Sequence, residues 1–205
     1  MPTGVGRRAP LEAKKARTRQ RLVDAARELF NSTGFYDVNL SDIPPAGGLA
    51  TGTFYNYFTS KEEIFGAVMD EVLAEMRAQP SIDWRGHPVD SIRASNRAYL
   101  AGYRRNAQLL ADCSSLARVD PTIRARKAQI DDDFEQRLVR AIRYWQESQI
   151  AAADIDARYA ANALAFMVDR FAYEFYIGGK DYDEDTAVDV LTALWVRSLS
   201  ITADT

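Results

Sequence analysis

One cysteine and one histidine occur in 205 residues, and each scarcity closes off a class of chemistry. A lone Cys113 cannot form an internal disulfide and fits a reducing compartment, where it reads as a small buried hydrophobe. A lone His87, in a segment with no ligand-bearing neighbours, is thin material for acid–base catalysis or metal binding. No apolar run approaches the ~20 residues of a membrane span. Residues 1 to 21 are basic and lack the apolar stretch of a secretory signal. Sustained strand alternation is missing as well. Asp131, Asp132, Asp133 and Glu135 form an acidic group, but consecutive residues on a helix point in different directions, so they read as a solvated face. No nucleophile–base pair and no phosphate loop is visible. An enzyme or carrier is therefore the weaker expectation, with no metal and no cofactor.

What is present is apolar material for a core and an uneven charge. Hydrophobic residues make up 47% of the chain, and the net charge is −3. Residues 1 to 21 hold Arg7, Arg8, Lys14, Lys15, Arg17, Arg19 and Arg21 against Glu12, a net of +6. The remainder carries 19 basic and 28 acidic residues, a net of −9. A basic end on an acidic body points one part of the molecule at a polyanion, although charge alone also allows a solvated tail.

After residue 10 the chain reads as helices and short connections. Leu22, Ala25, Ala26, Leu29 and Phe30 share one helical face, and Gly34 stops that helix. Asn39 with Asp42 resembles a capping box opening a short second helix. Gly47-Gly48 makes a turn into Thr51-Gly52-Thr53-Phe54-Tyr55-Asn56-Tyr57-Phe58, and Ser60 with Glu63 opens a helix to about Ala78. A break falls near Pro80 to Pro88. Further helices are expected from Pro88 to about Arg105, from about Ala107 to Arg118, from Pro121 (capped by Asp120) to about Gln149, over 156 to 177, and from about Glu184 to Ile201.

Hydroxyls, amides and a lysine at a helix start suit an element lying in a DNA groove. Thr51, Thr53, Tyr55, Asn56, Tyr57 and Lys61 are the candidates to face DNA: Asn can read adenine, Thr can touch a thymine methyl, and Tyr57 and Lys61 suit phosphates. Phe54 and Phe58 are expected to hold the element against Leu29 and Ile43. Residues 18 to 65, through TRQRLVDAARELFNSTGFYDVNLSDI, GGLATGTFYNYF and SKEEIF, resemble the DNA-binding domain of the TetR family of bacterial transcriptional regulators. The resemblance implies an all-α fold. In it, a basic arm (1–17) precedes a three-helix helix-turn-helix domain (18–65), and residues 66–205 form an effector-binding and dimerisation domain. It also implies a cytoplasmic homodimer that binds a double-stranded DNA operator and acts as a repressor released by a small molecule. A ligand-independent DNA-binding dimer is the alternative.

The last two helices are apolar on two sides, which suggests burial against a second subunit. Leu164, Val168, Phe171, Phe175, Leu191 and Trp195 are the expected interface, while Ala163, Phe166, Tyr173 and Ile177 form the other stripe of their helix. Asn96, Tyr99, Tyr103, Phe134, Trp145, Phe166, Arg170 and Tyr173 are the expected lining of an effector pocket, for a largely apolar ligand with a polar or anionic group. One departure from the family pattern stands out: Pro44-Pro45 replace Ala and a polar helix former, and Ala50 stands where a capping Ser is usual. Counted from Asn39, the prolines fall past the first turn. The expectation is a shortened, strained second helix and weak operator affinity, with Ala-Lys at these positions raising both stability and affinity.

Overall fold

The computed structural model describes residues 8–78 and 85–202, and every element among them is helical. The chain divides into two compact units, Met1–Glu71 and Val72–Thr205.

The first unit opens with α1 (Arg8–Thr33). Residues 8 to 17 of the basic arm are therefore turns of helix and not the solvated tail that charge alone also allowed; residues 1 to 7 lie outside the described residues. Ala, Leu, Lys and Arg are good helix formers, and Glu12 pairs with Lys15 at 3.5 Å along the helix. α1 ends where Gly34 takes φ +94° and its N–H reaches the Phe30 carbonyl at 2.9 Å. A 3₁₀ turn, Leu40–Asp42, then leads into α2 (Ile43–Ala46), and a 3₁₀ helix, Thr51–Asn56, leads on to α3 (Lys61–Ala78), which runs on past the division at Glu71. The core holds Leu22, Val23, Ala26, Phe30, Phe35, Ile43, Phe54, Phe58, Ile64, Phe65 and Val68. Phe30, Phe35 and Phe65 meet with ring centroids 5.1 to 5.6 Å apart.

The second helix is short, as expected, but the prolines do not strain it. Asn39 makes no side-chain cap, the 3₁₀ turn intervenes, and the α-helix restarts at Ile43. Pro44 and Pro45 thus sit in a first turn, where the N–H they lack has no intrahelical acceptor anyway. Their carbonyls accept from Leu49 and Gly48, each at 2.8 Å, and Pro44 is buried. The consequence is opposite in sign to the expectation. Replacing Pro44-Pro45 with Ala-Lys should lower the melting temperature, because each proline restricts the unfolded chain by about 0.4–1 kcal/mol where its native φ fits. Thermal unfolding followed by circular dichroism checks this; a rise of several degrees would restore the strained-helix expectation.

The second unit contains α4 (Pro88–Arg105), α5 (Ala107–Leu116), α6 (Pro121–Glu147), α7 (Ala157–Tyr176) and α8 (Glu184–Ser198). Asp120, Asp156 and Asp183 cap α6, α7 and α8 by accepting backbone N–H groups two or three residues on. α4 packs on both α7 and α8, α7 packs on α6, and α6 on α5. Trp145, Ile142, Leu138, Leu100, Ile92, Leu191, Trp195 and Leu199 form the centre of a single core. The outer edge of the α4–α8 contact is a charge ladder: Arg93 to Asp189, Arg97 to Asp185 at 2.6 Å, and Arg104 to Glu184 at 2.9 Å. These pairs are exposed, so they set register more than stability. Cys113 is buried, and burial pushes its thiol up to about 11, the inert hydrophobe expected of it.

Candidate DNA-facing element and effector cavity

Local propensity explains the shape of the DNA-facing element. Thr51, Gly52 and Thr53 are poor helix formers, and Ala50 supplies no side-chain cap. The segment therefore closes with i→i+3 bonds: Thr53 N–H to the Ala50 carbonyl at 2.8 Å and Tyr57 N–H to the Phe54 carbonyl at 2.9 Å. A six-residue 3₁₀ helix results, long for its type. Phe54 and Phe58 point inward, 1% and 2% exposed, with centroids 5.8 Å apart, and the Arg19 guanidinium lies over the Phe58 ring at 4.9 Å. Thr51, Tyr55 and Asn56 point outward, Tyr55 at 71% exposure, while Thr53 and Tyr57 are half-buried.

Lys61 is more tied to the scaffold than a free phosphate contact would be. Its Nζ donates to the Val38 carbonyl at 2.9 Å and the Tyr36 carbonyl at 3.4 Å, and it sits 4.5 Å from the Phe35 ring centroid. Two of the three ammonium N–H donors are thus engaged by backbone carbonyls. Glu63 accepts from the Thr59 N–H and hydroxyl, both at 2.7 Å, and its own N–H donates to Ser60 Oγ at 3.1 Å, which fixes the start of α3.

In the second unit a cavity opens between α4, α6, α7 and α8. Asn96, Tyr99 and Phe134, three of the candidate pocket residues, line it. Ile92, Ser95, Leu138 and Ala165 also line it, together with Val168 and Trp195, which the sequence pattern had placed at a subunit interface. Its volume is about 20 Å³, room for little more than one water molecule. Asn96 donates to Thr192 Oγ1 at 3.3 Å, and Thr192 in turn donates to the Val188 carbonyl at 2.7 Å. Tyr99 donates to Asp169 at 2.7 Å; burial, then the Asp169 carboxylate, holds its hydroxyl well above the ordinary phenol value. Among the described residues, neither the Trp195 indole N–H nor that of Trp145 in the core has an acceptor.

Other expected pocket residues lie elsewhere. Trp145 is fully buried in the core. Tyr103 is buried behind Tyr99 and stacks on Tyr176. Phe166 is 60% exposed, and Arg170 turns outward to pair with Glu174 and cover the Tyr173 ring at 4.9 Å.

The expected interface residues also divide. Leu164, Val168, Leu191 and Trp195 are buried within the protomer, and Phe171 and Phe175 pack on Tyr182. The faces left to solvent are the opposite ones: Tyr159, Ala163 and Phe166 on α7, Val190 and Leu194 on α8. Both stripes were visible in the α7 sequence; periodicity does not say which of two apolar stripes meets the protomer's own core.

An outward polar row on an element anchored by inward aromatics, carried on a small helical unit, is the arrangement expected of a helix-turn-helix DNA-binding domain. Residues 22–68 match the tetR family of bacterial regulatory proteins, and the curated proteins similar to the chain are HTH-type transcriptional regulators. It is similar to the HTH-type transcriptional regulator YdgC of Bacillus subtilis (strain 168), 23% identical over 184 residues that cover 90% of this chain and 94% of the relative. Among solved structures, a transcriptional regulator from Rhodococcus sp. Rha1 superposes with a TM-score of 0.74 at 16% identity, covering 90% of this chain and 98% of that one. A regulator from Saccharomonospora viridis, solved in complex with choline, gives 0.69 at 18% identity, covering 89% and 96%. Among the described residues, no helix is long and apolar enough to cross a membrane.

Proposed function

We propose that the chain is a cytoplasmic, homodimeric repressor that a small molecule releases from its operator. The observation that carries this reading is the coexistence in one chain of an exposed Thr51, Tyr55 and Asn56 row and a small, mostly apolar cavity lined in part by Trp195, whose indole N–H has no partner among the described residues. The exposed apolar rows of α7 and α8 support pairing of two copies. A dimer presents two recognition elements, and their spacing must match successive major grooves. A ligand that opens the cavity shifts the population toward a spacing that does not match. Selection from random duplex DNA tests the DNA half: an inverted repeat with half-site centres about 34 Å apart, or a multiple, is expected. Enrichment of no common sequence would contradict it.

Lining chemistry narrows the ligand class. Among the described residues no charged side chain lines the cavity, and Arg170, the expected anchor for an anion, pairs with Glu174 at the surface. The Trp195 N–H requires an acceptor. The effector is therefore a small neutral compound, apolar except for a carbonyl, ether or hydroxyl oxygen. That the Saccharomonospora protein holds choline supports small-molecule binding within this fold. A thermal-shift screen of neutral aromatic and aliphatic esters, ketones and lactones should find stabilisers, with Trp195→Phe weakening the best of them about tenfold, the scale of one lost buried hydrogen bond. Preferential stabilisation by carboxylates would contradict the neutral-ligand reading.

A further inference from the structure

Arg21 belongs to the basic run of residues 1 to 21, and by charge alone it reads as one more phosphate contact. Its guanidinium is engaged elsewhere. Nε and Nη2 donate to the Gly47 carbonyl at 3.1 and 2.8 Å, and Nη2 donates to the Gly48 carbonyl at 3.0 Å. These carbonyls belong to the turn that ends α2, where backbone acceptors lack intrahelical partners. The turn also lies against α1 itself. A Cβ on Gly47 would stand 2.9 Å from the Arg21 carbonyl oxygen, and one on Gly48 would stand 2.9 Å from Arg21 Nη2. Gly48 also has φ +64°, a left-handed conformation that glycine adopts without strain. Two glycines thus let the turn sit on α1, and the Arg21 fork closes over it.

The turn leads through Leu49 and Ala50 into the Thr51–Asn56 element, and Ala50 gives that element no side-chain cap. With no cap, the start of the element depends on where the turn is held. We propose that Arg21 is a positioning residue for DNA recognition: it ties the Gly47–Gly48 turn to α1 and so sets the place and angle of the Thr51–Asn56 element, instead of contacting phosphate. This rests on the reading of Thr51–Asn56 as the DNA-facing element. The fork matters more than the charge, because a lysine ammonium cannot bridge the two carbonyls with the same planar set of donors.

The test uses full-length Arg21→Lys and Arg21→Ala. Each is titrated against the duplex that wild-type protein selects from random DNA, and against an unrelated duplex, over a range of salt. Both variants should lose about tenfold or more on the selected duplex, a change of roughly 1.4 kcal/mol or more, while the unrelated duplex is bound nearly as before. The dependence of log affinity on log salt should keep the wild-type slope. Amide exchange should quicken at residues 47 to 53 and stay unchanged in α1 and α3. A slope reduced by about one, or Arg21→Lys binding like wild type, would make Arg21 a phosphate contact and overturn the proposal. Unchanged affinity in both variants would overturn it too, as would faster exchange throughout α1 and α3, the mark of a general stabiliser. A wild-type protein that selects no duplex would instead sink the DNA-facing reading beneath it.

Discussion

A Phe166→Glu, Leu194→Glu double variant is expected to sediment as a monomer and to bind the selected duplex at least 100-fold more weakly. Both side chains are largely exposed in the isolated chain, Phe166 at 60% and Leu194 at 41%, so the protomer's own stability should change little, within roughly 0.5 kcal/mol per site. At an interface the outcome is different. Each carboxylate would have to leave water without a partner, a cost of several kcal/mol, and two-fold symmetry doubles the number of such groups. A monomer then retains one recognition element, and loss of the second, tethered contact commonly removes a factor of 10²–10⁴. A variant that stays dimeric would place the subunit contact on another face.

The second large effect is expected at Phe54. Its ring is 1% exposed, tilted against Phe58 and edge-on to Tyr55 at 5.4 Å. Phe54→Ala removes a buried aromatic with limited room to collapse, which typically costs about 3–5 kcal/mol. A small helical unit has little stability beyond that. Calorimetry should show the transition of the N-terminal unit moving down steeply or vanishing, while that of residues 72–205 stays in place, and DNA binding should be lost. Tyr55→Ala is the contrast. At 71% exposure it should leave both transitions nearly unmoved and lower DNA affinity alone. Equal destabilisation by the two variants would show that inward and outward faces are misassigned.

These contrasts also show which parts of the molecule sequence can reveal. Helix faces and stops were legible because they are local: Gly34 ends α1 with positive φ, and Asp120 with Pro121 opens α6. The polar row of Thr51, Tyr55 and Asn56 was legible because Phe54 and Phe58 between them fix the inward direction. Pro44-Pro45 were misjudged because the cost of a proline depends on its distance from the helix start. A 3₁₀ turn moved that start from Asn39 to Ile43.

The cavity was only half legible for a different reason. Asn96, Tyr99 and Phe134 announce themselves as polar or aromatic, but room comes from Ser95 and Ala165, small residues that carry no periodic signal. Arg170 could be read from sequence either as a pocket residue among aromatics or as the i+4 partner of Glu174, and it pairs with Glu174. Arg21 was hidden inside a charge run, since nothing in a basic segment distinguishes an arginine that meets phosphate from one that meets a turn 26 residues away.

Hydroxyl-radical footprinting of the selected duplex, with the mass of the complex measured in parallel, bears most directly on the claim that two copies read DNA through Thr51–Asn56. Two protected patches on one face of the duplex, related by a dyad and separated by about 34 Å or a multiple of it, are expected, with two chains per duplex and protection weakened in Asn56→Ala. A single patch bound by one chain, or protection that Asn56→Ala leaves unchanged, would contradict it.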